Sequence, residues 1–426
     1  MCSILFTTKQ LSTLQITEAN KLLKFRGPDN QCTNHTAIGT FMHNRLNIAD
    51  NCMQPYNRDN IDLIFNGEIY NSNETNEAEF IIKLYRKHGV LFAQHLDGEY
   101  AIVLVDNSQQ IVILVTDTFK TKPLWYSLHD GVHASTYKSA LLSCGIEDIF
   151  PVTPNSTHVY SLKTKKLDKY ININFDLTQY KHSYDDWILA FKAAIYKRTN
   201  TNKKVFIGLS SGYDSGCIAC ELNNIKKPFT VYSILNNENT NIINARADLL
   251  SADTNLINYN AENNLSMISC FAKYCEHDSY AESKYFEDTS SILLMYIGRC
   301  AQRNGLKIFL SGTGCDEIIG DYFIKDSYMG DDNSCFKGAF PDKLDSIFPW
   351  NNFFNGSMRE YLTKDEFIIG SLGIEARYPF LDKNLVQEFL WLAPELKNKF
   401  YKAPLREYLK QNNFPFRENE KRGFSF

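Results

Sequence analysis

The chain has 426 residues, is 44% hydrophobic and carries a net charge of −4, which excludes a wholly disordered protein and allows two or three ordinary domains. No long run of one charge sign occurs, so nothing points to a nucleic-acid groove or an anionic membrane surface. Eleven irregularly spaced cysteines, no leader-like start and apolar runs far below the roughly 20 residues of a membrane span give the expectation of a reducing, cytoplasmic setting.

In chain order, residues 1–160 form a strand-rich block. Ile61–Phe65, Tyr100–Asp106 and Ile111–Thr116 are β-branched runs bounded by turn residues. Between them Glu79, Ile81, Ile82, Leu84 and Tyr85 follow a helical apolar pattern that stops at Gly89. Residues 160–185 read as a linker. Beyond it the rhythm changes: an amphipathic helix from Trp187 to Lys197, a strand at Val205–Leu209 running into a Ser/Gly turn and a helix, and a strand at Phe229–Ile234. A helix from Ser290 to Arg303 then leads to a strand at Lys307–Ser311 that ends in a second glycine turn. Alternating strand and helix implies a parallel sheet, and ligands of such sheets bind where strands end in glycine turns.

Cys2 follows the initiator Met and is small enough for that Met to be removed. The exposed α-amine, with a pKa of about 8, would then stand beside the thiol as a local base. Five further strings follow in order: Arg26-Gly27-Pro28-Asp29; His43-Asn44-Arg45-Leu46; Gln54-Pro55; Ile64-Phe65-Asn66-Gly67-Glu68-Ile69-Tyr70-Asn71; and Leu96-Asp97-Gly98-Glu99-Tyr100. Taken by itself, Asn66-Gly67 reads as a hairpin turn. Together with Lys122-Pro123-Leu124, the strings resemble the class II (N-terminal nucleophile) glutamine amidotransferase domain of asparagine synthetases. The resemblance implies that Cys2 attacks the glutamine amide, that the Asn66 side chain and Gly67 N–H meet the oxyanion, and that Arg45, Glu68 and Glu77 hold glutamine. Glu77 stands where the family usually has Asp.

Gly208-Leu209-Ser210-Ser211-Gly212-Tyr213-Asp214-Ser215, between a strand and a helix, is suited to cradle phosphates. It resembles the S-G-G-x-D-S loop of ATP pyrophosphatases, with Ser211 in place of the first Gly. The second turn, from Ser311-Gly312-Thr313-Gly314-Cys315-Asp316 to Tyr322, resembles S-G-x-G-x-D-E-x-x-G-G-Y of the asparagine synthetase superfamily, as do Glu375-Ala376-Arg377-Tyr378-Pro379-Phe380-Leu381-Asp382, Lys402 with Leu405-Arg406, and Lys421-Arg422-Gly423-Phe424. The resemblance implies ATP binding by Leu209, Ser210, Gly212, Asp214, Ser215, Ser311 and Gly312. It also implies Mg²⁺ ligation by Asp214 and Asp316, a catalytic Lys421 at the α-phosphate, and an acceptor pocket at Thr313 and Glu375. Cys217 and Cys220 form a C-x-x-C without a second ligand pair and read as inward-packing helix residues.

Two departures fall near that pocket. Thr313 replaces the usual Glu, and Phe367–Gly373 replaces the family's D-R-x-S-M segment. A neutral hydroxyl at 313 predicts weak pairing with an α-ammonium, and hence preference for an acid without a nearby amine.

The expected fold is an α+β N-terminal nucleophile sandwich at 1–165 followed by an α/β parallel-sheet ATP-pyrophosphatase domain at 180–426. The expected activity is glutamine- and ATP-dependent amide formation through a carboxyl-adenylate. Alternatives are the same chemistry on a non-aspartate acid, a lactam- or peptide-type ligase using another amine, and a non-catalytic homologue. The expected ligands are glutamine, ATP, Mg²⁺ and a carboxylic acid acceptor, without nucleic acid or membrane. A homodimer is compatible with the sequence.

Overall fold

In the computed structural model, which describes residues 1–48, 53–274, 276, 289–321, 336 and 338–418, the strands Ser3–Thr7, Gly98–Asp106 and Ile111–Thr116 of the first half of the chain are buried along almost their whole length. Two units emerge. The first comprises Met1–Asn174, Cys270–Glu287 and Glu366–Glu375; the second comprises Phe175–Ser269, Asp288–Asp365 and Ala376–Phe426.

The first unit holds β1 (Ser3–Thr7), α1 (Thr13–Arg26), β2 (Asn30–His35), β3 (Thr40–Arg45), β4 (Tyr56–Arg58), β5 (Ile61–Ile69), α2 (Glu77–His88), β6 (Gly98–Asp106), β7 (Ile111–Thr116), β8 (Trp125–Ser127), β9 (His133–Ser135), α3 (Lys138–Leu142), β10 (Phe150–Pro151), β11 (Ser156–Ser161) and β12 (Leu167–Ile171). Among the described residues they form two six-stranded antiparallel sheets, ordered β10-β8-β9-β1-β3-β2 and β12-β11-β7-β6-β5-β4. Period-two alternation builds both cores. Ala101, Val103 and Val105 of β6 face Ile4, Phe6 and Phe41 of the other sheet. Tyr100, Ile102 and Leu104 face Ile81, Ile82 and Tyr85 of α2. The result is a sheet-on-sheet sandwich with helix on the outside, as expected.

The helix ends follow local chemistry. Ser12 and Gln15 form a reciprocal capping box that starts α1. Asn76 caps α2 by accepting from the N–H groups of Ala78 and Glu79, and Gly89 ends it at φ +59°.

The linker expected at 160–185 is corrected by β11 and β12. They pair antiparallel from Ser156↔Ile171 to Tyr160↔Leu167 around a turn in which Lys165 takes φ +56°. β12 is a largely exposed edge strand, so its sequence lacks the apolar alternation of a half-buried one. Asn66-Gly67 is likewise not a turn. Both residues lie inside β5, paired with Ala101 and Tyr100 of β6.

A buried ion network closes the first unit. Arg26 donates to the Glu366 carboxylate (2.7 Å) and to its carbonyl (2.6 Å), and Lys122 Nζ lies 3.0 Å from Glu366 and 3.6 Å from Glu99. Burial favours the neutral amine of Lys122, but Glu366 and Glu99 outweigh it and raise its pKa.

The second unit contains α4 (Asp185–Thr199), β13 (Val205–Gly208), α5 (Tyr213–Asn224), β14 (Phe229–Ile234), α6 (Thr240–Leu249), β15 (Asp253–Ile257), α7 (Thr289–Arg303), β16 (Ile308–Leu310), α8 (Gly356–Ile368) up to Asp365, β17 (Glu375–Arg377) from Ala376, α9 (Lys383–Trp391) and α10 (Ala403–Gln411). The strand order is β15-β14-β13-β16-β17, with β13 parallel to both β14 and β16. The chain steps outward from β13 to β15 and returns to the other side of β13 as β16. The carboxyl ends of β13 and β16 therefore flank a topological switch point.

Asp382 shows how this unit is held. One carboxylate oxygen caps α9, accepting from the N–H groups of Asn384 and Leu385; the other lies 3.0 Å from Arg198 Nη1 and 2.9 Å from Lys197 Nζ. Burial works against the charged carboxylate, yet Arg198 and Lys197 hold its pKa below the usual range. Asp382→Ala should destabilise the protein by about 3–5 kcal/mol, because it strands a buried guanidinium and removes a cap. Urea unfolding of the two proteins measures this, and a difference under about 1 kcal/mol would contradict the account.

Candidate active sites

In the first unit, β1 and β3 pair as Ser3↔Asn44, so Cys2 stands across from Arg45 at the end of that ladder. The Cys2 N–H donates to Asn66 Oδ1 (2.9 Å), and the Cys2 carbonyl accepts from Arg26 Nε (3.2 Å). Asn66 Nδ2 is buried and has no hydrogen-bond partner among the described residues. A buried amide donor left unpaired is costly unless a ligand completes it. Gly67 takes φ +133°, and a Cβ there would lie 1.9 Å from the Glu99 carbonyl oxygen, so only glycine fits beside Asn66. Cys2, Asn66 and Gly67 are thus brought together.

Arg45 is half-buried, with Nη2 3.2 Å from Asn47 Oδ1 and Nη1 3.8 Å from Met53 Sδ. Glu68 pairs with Glu99 across the strands, one residue beyond Gly67. Glu77 Oε1 accepts the N–H of Ile69 (2.8 Å), so this carboxylate ties the start of α2 to the end of β5. Glu79, the other acidic residue of that stretch, is paired with Arg58 and Tyr56.

Met1 is wholly buried, its ammonium 3.6 Å from Glu375 Oε2 and its sulfur 2.9 Å from Arg26 Nη2. Burial pushes the Cys2 thiol up to about 11, against the opposing pull of the Met1 ammonium. With Met1 attached, the Cys2 nitrogen is an amide and cannot act as a base. Glu375 therefore sits with the chain start of the first unit.

In the second unit the two turns lie side by side because β13 and β16 are in register, Ile207 opposite Leu310. Leu209 is buried, its N–H given to the Tyr232 carbonyl (2.8 Å). Ser210 N–H donates to Ser215 Oγ (3.0 Å), the two hydroxyls are 2.8 Å apart, and Gly212 N–H donates to Ser210 Oγ (3.2 Å). Gly212 is the N-cap of α5, so the loop opens onto a helix N-terminus.

Ser211 causes no backbone strain: its φ is not positive, and its N–H and hydroxyl both donate to Glu238 (2.6 and 2.5 Å). Arg246 supports the loop from beneath, donating to the carbonyls of Ser210 (2.5 Å) and Gly212 (2.9 Å). Sequence reasoning missed Glu238 and Arg246; each lies more than twenty residues from the loop and belongs to no string.

A Cβ on Gly312 would lie 3.1 Å from Asp214 Cβ, which is how closely the turns approach. Asp214 and Asp316 converge on Lys402, whose Nζ is 2.6 Å from both Asp214 oxygens and 2.9 Å from Asp316 Oδ1. Tyr401 also reaches Asp316 (3.2 Å). Burial raises the Asp214 pKa, with Lys402 opposing and Asp316 adding to it. For Lys402, burial favours the neutral amine, but the two carboxylates prevail and raise its pKa. Among the described residues no cluster of three or more His, Cys, Asp or Glu could hold a metal unaided. Two convergent carboxylates do fit Mg²⁺, which is commonly held by one or two carboxylates plus substrate phosphates.

Ser311 and Thr313 both hydrogen-bond Asp365, at 2.6 and 2.9 Å. Cys217 and Cys220 are buried free thiols, packed inward as expected. Lys421 and Tyr322 lie outside the described residues. No helix among the described residues is long and apolar enough to cross a membrane.

Comparison with known proteins adds two family matches: a glutamine amidotransferase domain over residues 1–204 and asparagine synthase over residues 188–335. The chain is 27% identical to a putative asparagine synthetase [glutamine-hydrolyzing] 1 of Methanocaldococcus jannaschii, covering 93% of this chain and 81% of that protein. Asparagine synthetases [glutamine-hydrolyzing] of Triphysaria versicolor and, for isoform 2, Arabidopsis thaliana are each 27% identical over 93% of this chain, covering 71% and 72% of those proteins.

Proposed function

We propose, from the premise that this chain belongs to the asparagine synthetase superfamily, how its residues divide the work of a glutamine-hydrolysing carbon–nitrogen ligase. The net reaction consumes glutamine, ATP and a carboxylic acid and yields glutamate, AMP, pyrophosphate and an amide. The setting we propose is the cytoplasm.

The single observation that carries the assignment is Asn66. Its Oδ1 accepts from the Cys2 nitrogen, and its buried amide N–H₂ has no partner among the described residues. Once Met1 is removed, the same nitrogen is an α-amine, able to take the thiol proton as sulfur attacks the glutamine side-chain carbonyl. Asn66 Nδ2 and the Gly67 N–H receive the developing oxyanion. Collapse expels ammonia and leaves a thioester, which water hydrolyses to glutamate. Arg45 pairs with the glutamine carboxylate, while Glu68 and Glu77 form the side that faces its α-amine. Asn66→Ala should lower glutaminase kcat by about 10²-fold or more, the effect of losing one oxyanion donor. A steady-state glutaminase assay decides this, and an unchanged kcat would remove Asn66 from the reaction.

In the second unit the loops at Leu209–Ser215 and Ser311–Gly312 hold ATP, with Asp214 and Asp316 directed at the pyrophosphate. Asp214 and Asp316 would hold Mg²⁺, which would supply positive charge to offset the negative charge developing as the bond between the α- and β-phosphates breaks. The acceptor carboxylate attacks the α-phosphorus, pyrophosphate leaves, and ammonia displaces AMP from the acyl carbon. Lys402 keeps the carboxylate pair from repelling itself, and Lys421 is assigned to the α-phosphate. The acceptor is aspartate or a related small carboxylic acid, bound at Thr313.

A further inference from the structure

The second glycine turn carries a negative charge that its own sequence does not supply. Asp365, on α8, is 6% exposed, and its Oδ2 lies 2.6 Å from Ser311 Oγ and 2.9 Å from Thr313 Oγ1. The two hydroxyls are 3.0 Å apart, and the Thr313 N–H donates to Ser311 Oγ (3.1 Å). A carboxylate can only accept, so each hydroxyl is drawn to spend its one proton on Oδ2. Ser311 is buried, whereas Thr313 is half-buried and is the reachable end of this arrangement. What Thr313 then offers a ligand is its oxygen lone pairs, polarised by the carboxylate behind them.

We infer that Asp365 is a positioning residue that sets acceptor specificity through Thr313, making the turn a receptor for a protonated amine on the acid. Thr313 alone predicts preference for an acid lacking an amine. Asp365 reverses that sign, because it fixes the hydroxyl as an acceptor and adds charge of the sign an ammonium seeks. The carboxylate that a Glu at 313 would bring arrives instead from a helix more than fifty residues further along the chain.

The inference rests on the amide-ligase reading of the second unit, and the test separates the two. Pyrophosphate release is measured with ATP, Mg²⁺ and saturating ammonium chloride, using acids matched except for the amine: aspartate against succinate, and glutamate against glutarate. In the wild type, kcat/KM for the amino acid should exceed that for its partner by about tenfold or more in at least one pair, in line with a charge-assisted hydrogen bond. Asp365→Asn keeps the shape and removes the charge; Thr313→Val keeps the shape and removes the hydroxyl. Each should lower that ratio at least about fivefold. A merely structural role would depress both acids alike and leave the ratio unchanged, which would overturn the inference. So would a wild-type ratio near one. Should Asp365→Asn fail to fold, Thr313→Val decides the matter. If no acid releases pyrophosphate although the protein binds ATP, the ligase reading itself falls, and the inference with it.

Discussion

Replacing Cys2 with Ala should cut glutamine-driven amide formation by more than about 10⁴-fold while ammonium-driven formation stays within about twofold of wild type. The size of the first effect follows from covalent catalysis. Without the sulfur no thioester forms, and water must attack an amide with only the Asn66–Gly67 donors to help. The second expectation follows from the division of labour, since free ammonia meets the activated acid without the thiol. Cys2 lies at the head of β1, where Ala fits the same backbone and loses only the Sγ atom, so the fold should survive. Parallel assays with glutamine and with ammonium chloride, read as amide product, give both numbers. Loss of both activities in a folded variant would refute the two-site scheme.

Asp316→Asn should lower ATP-dependent pyrophosphate release by about 10²–10³-fold and leave glutaminase turnover within about twofold. Asp214 and Asp316 share Lys402 at 2.6 and 2.9 Å, so the substitution leaves one carboxylate and one ammonium facing each other. The local charge then changes from net negative to neutral, and a Mg²⁺ held at the proposed site would lose one of its two carboxylates. Asn keeps the volume and can still accept from Tyr401, so the effect is electrostatic more than steric. A pyrophosphate-release assay run beside a glutaminase assay measures the split. Near-normal release would remove Asp316 from the nucleotide site.

Legibility in the sequence followed the range of the interactions. β7 and β14 were legible to the residue because both are short runs rich in β-branched and aromatic residues. β12 was not, since an exposed edge strand gives up the alternation that marks one. The short strands β8 and β9 were also unread; three residues carry too little pattern. Cys2, Asn66, Gly67 and the two glycine turns could be singled out because they sit in contiguous strings. Asp365, Glu238 and Arg246 were invisible because each acts on a turn far away in sequence, and only the fold brings them to it. Lys402 stood inside a recognised string, yet its place between Asp214 and Asp316 depends on its own left-handed backbone, φ +46°, as the N-cap of α10.

The short stretch Glu366–Glu375 imposes a schedule on the protein's birth. Arg26 and Lys122 are made early, but the carboxylate they share, Glu366, arrives only after about 200 further residues beyond Asn174. At about 5–20 residues per second the ribosome needs roughly 10–40 s to deliver it. Until then the first unit holds two cations without their shared partner and cannot finish closing. In the completed unit Met1 is sealed from solvent with Glu375 at its ammonium, so the removal of Met1 that the proposed chemistry requires would be easier before Glu375 emerges. The late delivery of Glu366 and Glu375 would thus leave the chain start accessible for longer than the rest of the first unit.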